Sequence, residues 1–224
     1  MQTITDNRLK TQLLEKTKFA NLFSTDIVPD TELLMFQSGE YIVQNGITPQ
    51  YLFYLVKGKT KLYDELANGK IALIDFFMAP CFIGEMELFD AGRLPFGVQT
   101  INDCYCLALP VKKLKSTLLS DATFLKNICL YLADKNARNI KTASRNQGFT
   151  LAQRLAAFIL MTNHDNYYQE KHTQVAQYLG VSYRHLLYVI ADFVSSGYLT
   201  KTEKGYFVAL PSALKELGKE AFSE

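Results

Sequence analysis

The sequence predicts an α+β fold with a β-rich N-terminal part, one long helix and a small C-terminal part. Seven short runs of β-forming residues broken by glycines lie between residues 33 and 109, which is typical of a sandwich or jelly roll. Residues 111–145 contain no proline or glycine and favour a long helix. Residues 171–208 show helix, glycine, helix and hairpin in turn. The expected domains are residues 1–111, 112–147 and 148–224.

Composition indicates a folded protein with a sizeable core. The chain has 224 residues, of which 48% are hydrophobic and 21% charged. No apolar run approaches the ~18 residues of a membrane span, and Met1–Asp6 lacks the pattern of a signal peptide. Four cysteines without a secretory context indicate a reducing compartment. We therefore expect a cytoplasmic protein without a membrane partner.

The C-terminal pattern begins with a short predicted helix. Thr173 is expected to cap it, and Gly180 follows where the helix ends in a left-handed residue. Ser182 can cap a second helix that runs to about Ser195. The apolar face of the first helix is formed by Val175, Ala176 and Leu179. This layout is that of a helix-turn-helix.

The second helix is amphipathic and predicts a surface that reads DNA. Its apolar arc holds Leu186, Leu187, Val189, Ile190, Phe193 and Val194. Arg184, His185, Tyr188 and Asp192 fall on the opposite arc. The N-terminal residues of one helix reach base edges in a major groove, where Arg184 can bind guanine with two hydrogen bonds. His185 and Tyr188 can reach bases or phosphates.

A hairpin follows the second helix. Residues 197–200 and 206–208 are β-rich and flank a loop with glycine, so they are predicted to form a wing with Lys201 and Lys204 near its tip. The alternative to DNA binding is that the two helices form an ordinary helical hairpin packed in a core. The predicted DNA-contacting residues are Lys171, Thr173, Ser182, Tyr183, Arg184, His185, Tyr188, Lys201 and Lys204.

Charge is unevenly distributed along the chain. Residues 1–111 carry 9 Lys and Arg against 13 Asp and Glu, residues 112–149 carry 8 against 2, and residues 150–224 carry 7 against 7. A neutral C-terminal part disfavours strong nonspecific DNA binding. A specific dimeric reader can still use a few well-placed cations.

The N-terminal half begins with an amphipathic helix within residues 8–26. The predicted strands are Leu33–Gln37, Tyr41–Val43, Tyr51–Val56, Thr60–Glu65, Ile71–Phe77, Gly97–Ile101 and Cys104–Leu109. Asn68-Gly69 is the strongest hairpin signal in the chain and predicts a primed turn with positive φ at both positions.

Four segments resemble the cyclic-nucleotide-binding domain of the cAMP receptor protein/FNR (Crp/Fnr) family of bacterial transcription regulators. These are Ser38–Glu40, Leu52–Gly58, Asn68–Lys70 and Phe82–Phe89. The helix-turn-helix and wing follow in the same order as in that family, and the resemblance covers roughly residues 20–210.

The resemblance implies a cyclic-nucleotide-binding-like jelly roll, a long dimerisation helix and a winged helix-turn-helix. It further implies a homodimer that binds a near-palindromic operator in double-stranded DNA, with RNA polymerase as a further partner. In the family, effector binding in the first domain reorients the recognition helices. Many members have Glu where Arg184 stands and Arg where Tyr188 stands, so their operator sequence does not transfer.

The resemblance also locates an effector pocket from which the phosphate clamp is missing. Gly84 would let the backbone approach a ligand, and Glu85 would accept a ribose hydroxyl; the alternative is that both only serve the turn. The clamping Arg and Ser or Thr fall on Pro95 and Phe96, and a buried phosphate without a cation is unfavourable. No cyclic nucleotide is therefore expected. The candidate pocket residues are Gly84, Glu85, Arg93 and Asn136.

No cofactor or metal is expected either. The oxygen sensor of this family holds an iron–sulfur cluster on N-terminal cysteines, whereas no cysteine here precedes Cys81. Cys104 and Cys106 share one strand face, which suits either a core position or a redox or metal pair. His164 and His172 lack a matching ligand cluster.

The connecting helix is predicted to begin at Asp121, after a short turn containing Leu114 and Leu118. Its stripe of Leu125, Cys129, Leu132, Asn136, Ile140 and Ala143 suits a two-fold helix pair. Asn136 would fix register or reach the effector pocket; the alternative is a helix lying on its own domain. Gly148 ends the helix, Thr150 caps the next one at residues 151–161, and the hinge is expected at residues 146–150.

These observations support a dimeric transcription regulator. The alternative is a ligand- or redox-sensing interaction module with a degenerate helix-turn-helix, which the neutral C-terminal part favours. No nucleophile elbow, phosphate loop or paired-carboxylate motif points to an enzyme.

Overall fold

The computed structural model describes residues 1–90 and 92–222, without the side chains of residues 142–147 and 222. Two compact units are present: residues 1–70 with 74–136, and residues 71–73 with 137–224. Within these described residues, none of the helices combines the length and apolarity needed to cross a membrane.

Twelve strands are found among the described residues. They are β1 (Gln2–Thr3), β2 (Glu32–Phe36), β3 (Tyr41–Val43), β4 (Tyr51–Lys57), β5 (Lys59–Glu65), β6 (Ile71–Met78), β7 (Cys81–Ile83), β8 (Gly97–Thr100), β9 (Cys104–Pro110), β10 (Tyr167–Tyr168), β11 (Leu199–Thr202) and β12 (Gly205–Val208). They form sheets in the orders β1-β2-β9-β4-β7, β3-β8-β5-β6 and β10-β12-β11.

Eight α-helices are found in the same part of the chain. They are α1 (Asn7–Thr17), α2 (Glu85–Phe89), α3 (Val111–Ser120), α4 (Ala122–Gly148), α5 (Leu151–Thr162), α6 (His172–Tyr178), α7 (Tyr183–Ser195) and α8 (Pro211–Phe222).

The first two sheets share a core that alternation along β4 and β9 explains. In a strand, successive side chains point to opposite faces, and both of these strands are buried on both faces. One set of residues packs beside helical residues such as Leu114 and Phe124; it includes Leu52, Tyr54, Val56, Leu107 and Leu109. The other set, Phe53, Leu55, Cys104, Cys106 and Ala108, packs with Phe36 and Val98.

All seven predicted strands are present, and each of their ends agrees with the prediction or differs from it by one residue. The two-residue β1 and three-residue β7 were not predicted, because such short segments show no periodicity. The hairpin predicted at Asn68-Gly69 is present, because β5 and β6 are neighbours in one sheet. The prediction of a primed turn is wrong: Gly69 has φ +73°, but Asn68 is not among the residues with positive φ. The loop is longer than two residues, and it closes through hydrogen bonds from Leu66 N–H to the Lys70 carbonyl and from Gly69 N–H to the Leu66 carbonyl.

The helical segments of the first unit differ from prediction in two places. The N-terminal helix ends at Thr17, and left-handed Lys18 leads into a 3-10 turn at Phe19–Leu22. The segment before Asp121 is the ten-residue helix α3 rather than a short turn. Asp121 stands between α3 and α4 and caps α4, because its Oδ1 accepts hydrogen bonds from the N–H groups of Thr123 and Phe124 at 2.9 and 3.0 Å.

The second unit contains α5 to α8 and the three-stranded sheet. Thr150 caps α5 in a reciprocal box with Gln153, as predicted. The predicted cap at Thr173 is wrong: α6 begins at His172, its cap residue is Lys171, and no side chain bonds the cap. Strand β10 and helix α8 were not predicted.

Candidate functional site

Helix α7 presents a polar surface because its apolar side is held inside the second unit. Leu186, Val189, Ile190 and Phe193 are buried. Ser182 caps the helix, with Oγ accepting a hydrogen bond from His185 N–H at 3.2 Å, as predicted. Arg184 and His185 are exposed, and the side chain of Tyr188 is 74% exposed. The N-terminal half of α7 therefore exposes an arginine, a histidine and a tyrosine side chain to solvent.

The turn before α7 is fixed by two groups. Gly180 has φ +65°, the left-handed conformation that glycine adopts without strain. Arg154 of α5 donates hydrogen bonds to the carbonyl oxygens of Leu179 and Phe149, which ties the end of α6 to α5. Sequence reasoning missed Arg154, although a lone arginine in the apolar run of α5 was the available signal.

The remaining predicted DNA-contacting residues are all exposed. Lys171 and Thr173 lie at the start of α6, and Tyr183 is 49% exposed at the start of α7. Lys201 lies on β11 opposite Tyr206, and Lys204 lies in the turn between β11 and β12. The predicted wing is therefore present as the antiparallel hairpin β11–β12, which carries Lys201 and Lys204.

A surface cleft of about 360 Å³ lies where the wing meets α6 and α7. Its lining comprises Tyr168, Gln169, Glu170, Lys171, His172, Thr173, Tyr183, Gly205 and Tyr206. Gly205 is required there, because an added Cβ would lie 2.4 Å from the Tyr168 carbonyl oxygen. The ring of His172 lies 6.1 and 5.6 Å from the rings of Tyr168 and Tyr206. Burial lowers the pKa of His172, which favours the neutral imidazole.

The predicted effector pocket is a small cleft of about 30 Å³ in the first unit. Its lining includes Gly84 and Glu85 together with Val43, Leu62, Phe77, Ile83, Met86, Glu87, Phe96, Val98 and Lys135. Gly84 has φ +88° and caps α2. Arg93 is exposed, with its Nε 3.7 Å from Asp90 Oδ2. Asn136 is exposed on α4. Neither lines the cleft, so the structure brings together only two of the four predicted residues.

Sequence reasoning missed Lys135, one residue before Asn136. Its Nζ lies 2.8 Å from Glu85 Oε1 and 4.7 Å from the centroid of the Phe77 ring. The side chains of Lys135 and Glu85 are 16% and 3% exposed. Lys135 follows Phe124, Ile128 and Tyr131 at helical spacing, on the face of α4 that packs against the β-sheets. That spacing was the available signal, but the more apolar neighbouring stripe obscured it.

A second acidic side chain, Glu87, lies in the same cleft. Burial raises the pKa of Glu87, the neighbouring carboxylate of Glu85 raises it further, and Lys135 opposes both effects. The cleft therefore holds two carboxyl groups and one ammonium among apolar side chains.

The predicted dimer stripe of α4 is partly exposed. Cys129 and Asn136 are exposed, and Ile140 is 63% exposed. Leu125 and Leu132 are half-buried, and Leu125 also packs against the core of its own domain. The side chain of Ala143 lies outside the described residues.

Three of the four cysteines are core residues. Cys81, Cys104 and Cys106 are buried in one apolar cluster, whereas Cys129 is exposed. Burial raises the pKa of Cys104 to about 12 and that of Cys106 well above its ordinary value. Cys104 and Cys106 share one strand face as predicted, among apolar neighbours.

Comparison with known proteins identifies the family. The sequence is 50% identical over 207 residues to Regulatory protein YeiL of Escherichia coli O157:H7, covering 92% of this chain and 94% of that protein. Solved structures of CRP and CRP/FNR transcriptional regulators share its fold. The chain belongs to the Crp/Fnr family of transcription regulators. Its relatives are regulators rather than enzymes, so this Crp/Fnr protein is a regulator and not an enzyme.

Further comparisons agree with this membership. The family model of the cyclic nucleotide-binding domain matches residues 33–121. A CRP-family transcriptional regulator from Thermus thermophilus superposes with a TM-score of 0.64 at 16% identity, covering 85% of this chain and 98% of that one. The c-di-GMP responsive regulator CLP of Xanthomonas campestris gives a TM-score of 0.60 at 17% identity, covering 87% and 98%. At these identities the likeness is one of fold.

Proposed function

We propose that this Crp/Fnr protein binds DNA sequence-specifically as a homodimer on a near-palindromic operator, and that it does so through a winged helix-turn-helix. The exposure of Arg184, His185 and Tyr188 on a helix whose other face is buried carries the proposal. A polar face presented at a helix N-terminus suits a major groove, in which base edges accept and donate hydrogen bonds.

The roles of the individual residues follow from their chemistry. Arg184 reads guanine, while His185 and Tyr188 contact bases or phosphates. Tyr183 and Ser182 lie at the start of α7, where free N–H groups favour phosphate. Lys171, Thr173, Lys201 and Lys204 are exposed around this helix and position the duplex through its backbone.

Dimerisation is proposed to occur along α4, which serves as the dimerisation helix. Exposed apolar side chains on a long helix are stabilised when a second copy covers them. The stripe that contains Cys129 and Ile140 supplies such side chains, with Asn136 among them as a polar residue that fixes register. A two-fold pair would present two copies of α7 to successive major grooves.

The N-terminal domain is proposed to work without a cyclic nucleotide. Ligand pockets for small molecules occupy roughly 300–1,000 Å³, whereas the cleft at Gly84 and Glu85 encloses about 30 Å³. The side chain of Phe96 lines this cleft, and Pro95 has no N–H group to donate. Neither residue can replace a clamping arginine or hydroxyl.

Footprinting on the DNA upstream of the protein's own gene tests the proposal. The expected result is protection of two half-sites about 34–36 Å apart, one helical turn of DNA. Protection that disappears with rising salt but shows no half-sites would indicate nonspecific binding. Absence of protection would instead favour the interaction module with a degenerate helix-turn-helix. RNA polymerase is the expected partner of the bound dimer, and its recruitment is tested on the same DNA.

A further inference from the structure

The cleft at the start of α2 contains an ion pair between Glu85 of α2 and Lys135 of α4. Lys135 Nζ donates to Glu85 Oε1 at 2.8 Å, and both side chains are largely removed from solvent. The ammonium also lies 4.7 Å from the Phe77 ring centroid, a distance suited to a cation–π interaction. Lys135 therefore has two partners in the first unit, one charged and one aromatic.

A second contact one helical turn earlier acts in the same direction. Tyr131 OH donates to the Phe82 carbonyl oxygen at 3.0 Å, and its ring packs edge-on against the Phe82 ring. Tyr131 and Lys135 are four residues apart and lie on the same face of α4. Together they attach this part of the helix to strand β7 and helix α2.

Replacing either partner of a buried ion pair is unfavourable, because the remaining charge is left without compensation. Glu85 would stand beside Glu87 if Lys135 lost its charge, and the two carboxylates would repel each other. The pair therefore favours the arrangement in which α4 lies against the β-sheets. The side chains of Phe77, Phe96 and Met86 line the cleft, which encloses only about 30 Å³.

We propose that Lys135 acts as a built-in substitute for a diffusible effector, pairing with Glu85 to hold α4 in the arrangement that binds DNA. The regulator then requires no small molecule in this cleft to bind its operator. α4 continues as one helix from Lys135 to Gly148, so a constraint at Lys135 acts on the helix that leads into the second unit. This inference rests on the proposed DNA-binding function.

The first test measures the attachment without DNA. Amide hydrogen exchange of residues 131–136 is compared in the wild type, Lys135→Met, Glu85→Gln and the conservative Lys135→Arg. We expect exchange to be at least about tenfold faster in the first two variants and near wild type in Lys135→Arg, since Arg retains the charge. Lys126→Met is the control, because Lys126 is exposed on the same helix. Unchanged exchange in both Lys135→Met and Glu85→Gln would overturn the inference.

The second test measures operator affinity with protein refolded from denaturant, which removes bound small molecules. We expect the wild type and Lys126→Met to bind without any addition, and Lys135→Met and Glu85→Gln to bind at least about tenfold more weakly. Equal affinity of all four proteins, or wild-type binding that returns only with a cell extract filtrate, would overturn the inference and leave the proposed function intact. If the wild type binds no DNA under any condition, the proposed function fails and the inferred role of Lys135 fails with it.

Discussion

The carboxylate of Asp121 joins two segments that are far apart in the chain. Its Oδ2 accepts hydrogen bonds from the N–H groups of Ser24 and Thr25 at 2.7 and 3.2 Å, across 97 and 96 residues of sequence. Its Oδ1 meanwhile caps α4. One side chain thus fixes both the start of the long helix and the loop that packs beside it.

Asp121 is expected to make the stability of the protein depend on acid pH. Burial opposes its ionisation, but the N–H donors of Phe124, Ser24 and Thr25 outweigh this and lower the pKa of Asp121 to about 2. Because the folded pKa is depressed, the stabilisation is complete above the ordinary value of 3.8 and is lost as pH falls toward 2. We expect a contribution of the order of 2 kcal/mol.

Urea unfolding of wild type and Asp121→Asn at several pH values measures this contribution. The variant should be less stable at pH 7, and the difference should shrink between pH 4 and pH 2. Asp26→Asn provides a control at another acidic residue, whose side chain accepts a hydrogen bond from the nearby Val28 N–H group. A difference that stays constant over the acid range would contradict the assignment to Asp121.

The sequence indicated α7 and its cap correctly, because a Ser182 cap, a turn glycine and an apolar arc are local signals. The sequence pattern placed Asn136 rather than Lys135 near the effector pocket. These two neighbouring residues are rotated by about 100° around the helix axis, so they lie on different faces of α4. Which face of α4 meets the β-sheets depends on residues such as Phe77 and Phe82 of the β-strands, and periodicity within the helix does not specify that contact. The hydrogen bonds from residues 24 and 25 to Asp121 could not be predicted either, because they join segments far apart in the sequence.

Arg184 is expected to supply sequence specificity. A bidentate contact with guanine contributes about 1–3 kcal/mol, so Arg184→Ala should weaken operator binding by roughly 5- to 150-fold. Fluorescence anisotropy with operator and scrambled duplexes measures this change. Lys215→Ala is the matched control, since Lys215 is exposed on α8. An equal loss of affinity for operator and scrambled DNA would show that Arg184 contacts phosphate rather than a base.

The dimer stripe is tested by a charge placed on it. Ile140→Glu should yield monomers in size-exclusion chromatography with light scattering, because a buried carboxylate at a two-fold seam is unfavourable. Leu130 is 55% exposed on a different face of α4. Leu130→Glu should therefore remain dimeric, and a monomer from this control would place the seam elsewhere.

Cyclic nucleotides are expected not to stabilise the protein. A ligand that binds only the folded state raises the melting temperature, by an amount that grows with the logarithm of its concentration above Kd. Cyclic AMP, cyclic GMP and c-di-GMP at millimolar concentration should leave the melting temperature of the wild type unchanged. A rise of several degrees with any of them would show that the cleft at Glu85 opens to admit a nucleotide.

Thiol reactivity links the core and the dimer stripe in one measurement. Cys81, Cys104 and Cys106 are buried, and the raised pKa values of Cys104 and Cys106 keep them as neutral thiols at pH 7–8, which are poor nucleophiles. Cys129 is exposed on the predicted stripe, so a second copy should cover it. We expect alkylation in the native state to modify Cys129 alone, slowly in the wild type and faster in Ile140→Glu. Cys129→Ser should abolish native labelling, while all four cysteines react in the denatured wild type. Rapid modification of Cys104 or Cys106 in the native protein would contradict their placement in the core and favour a redox role.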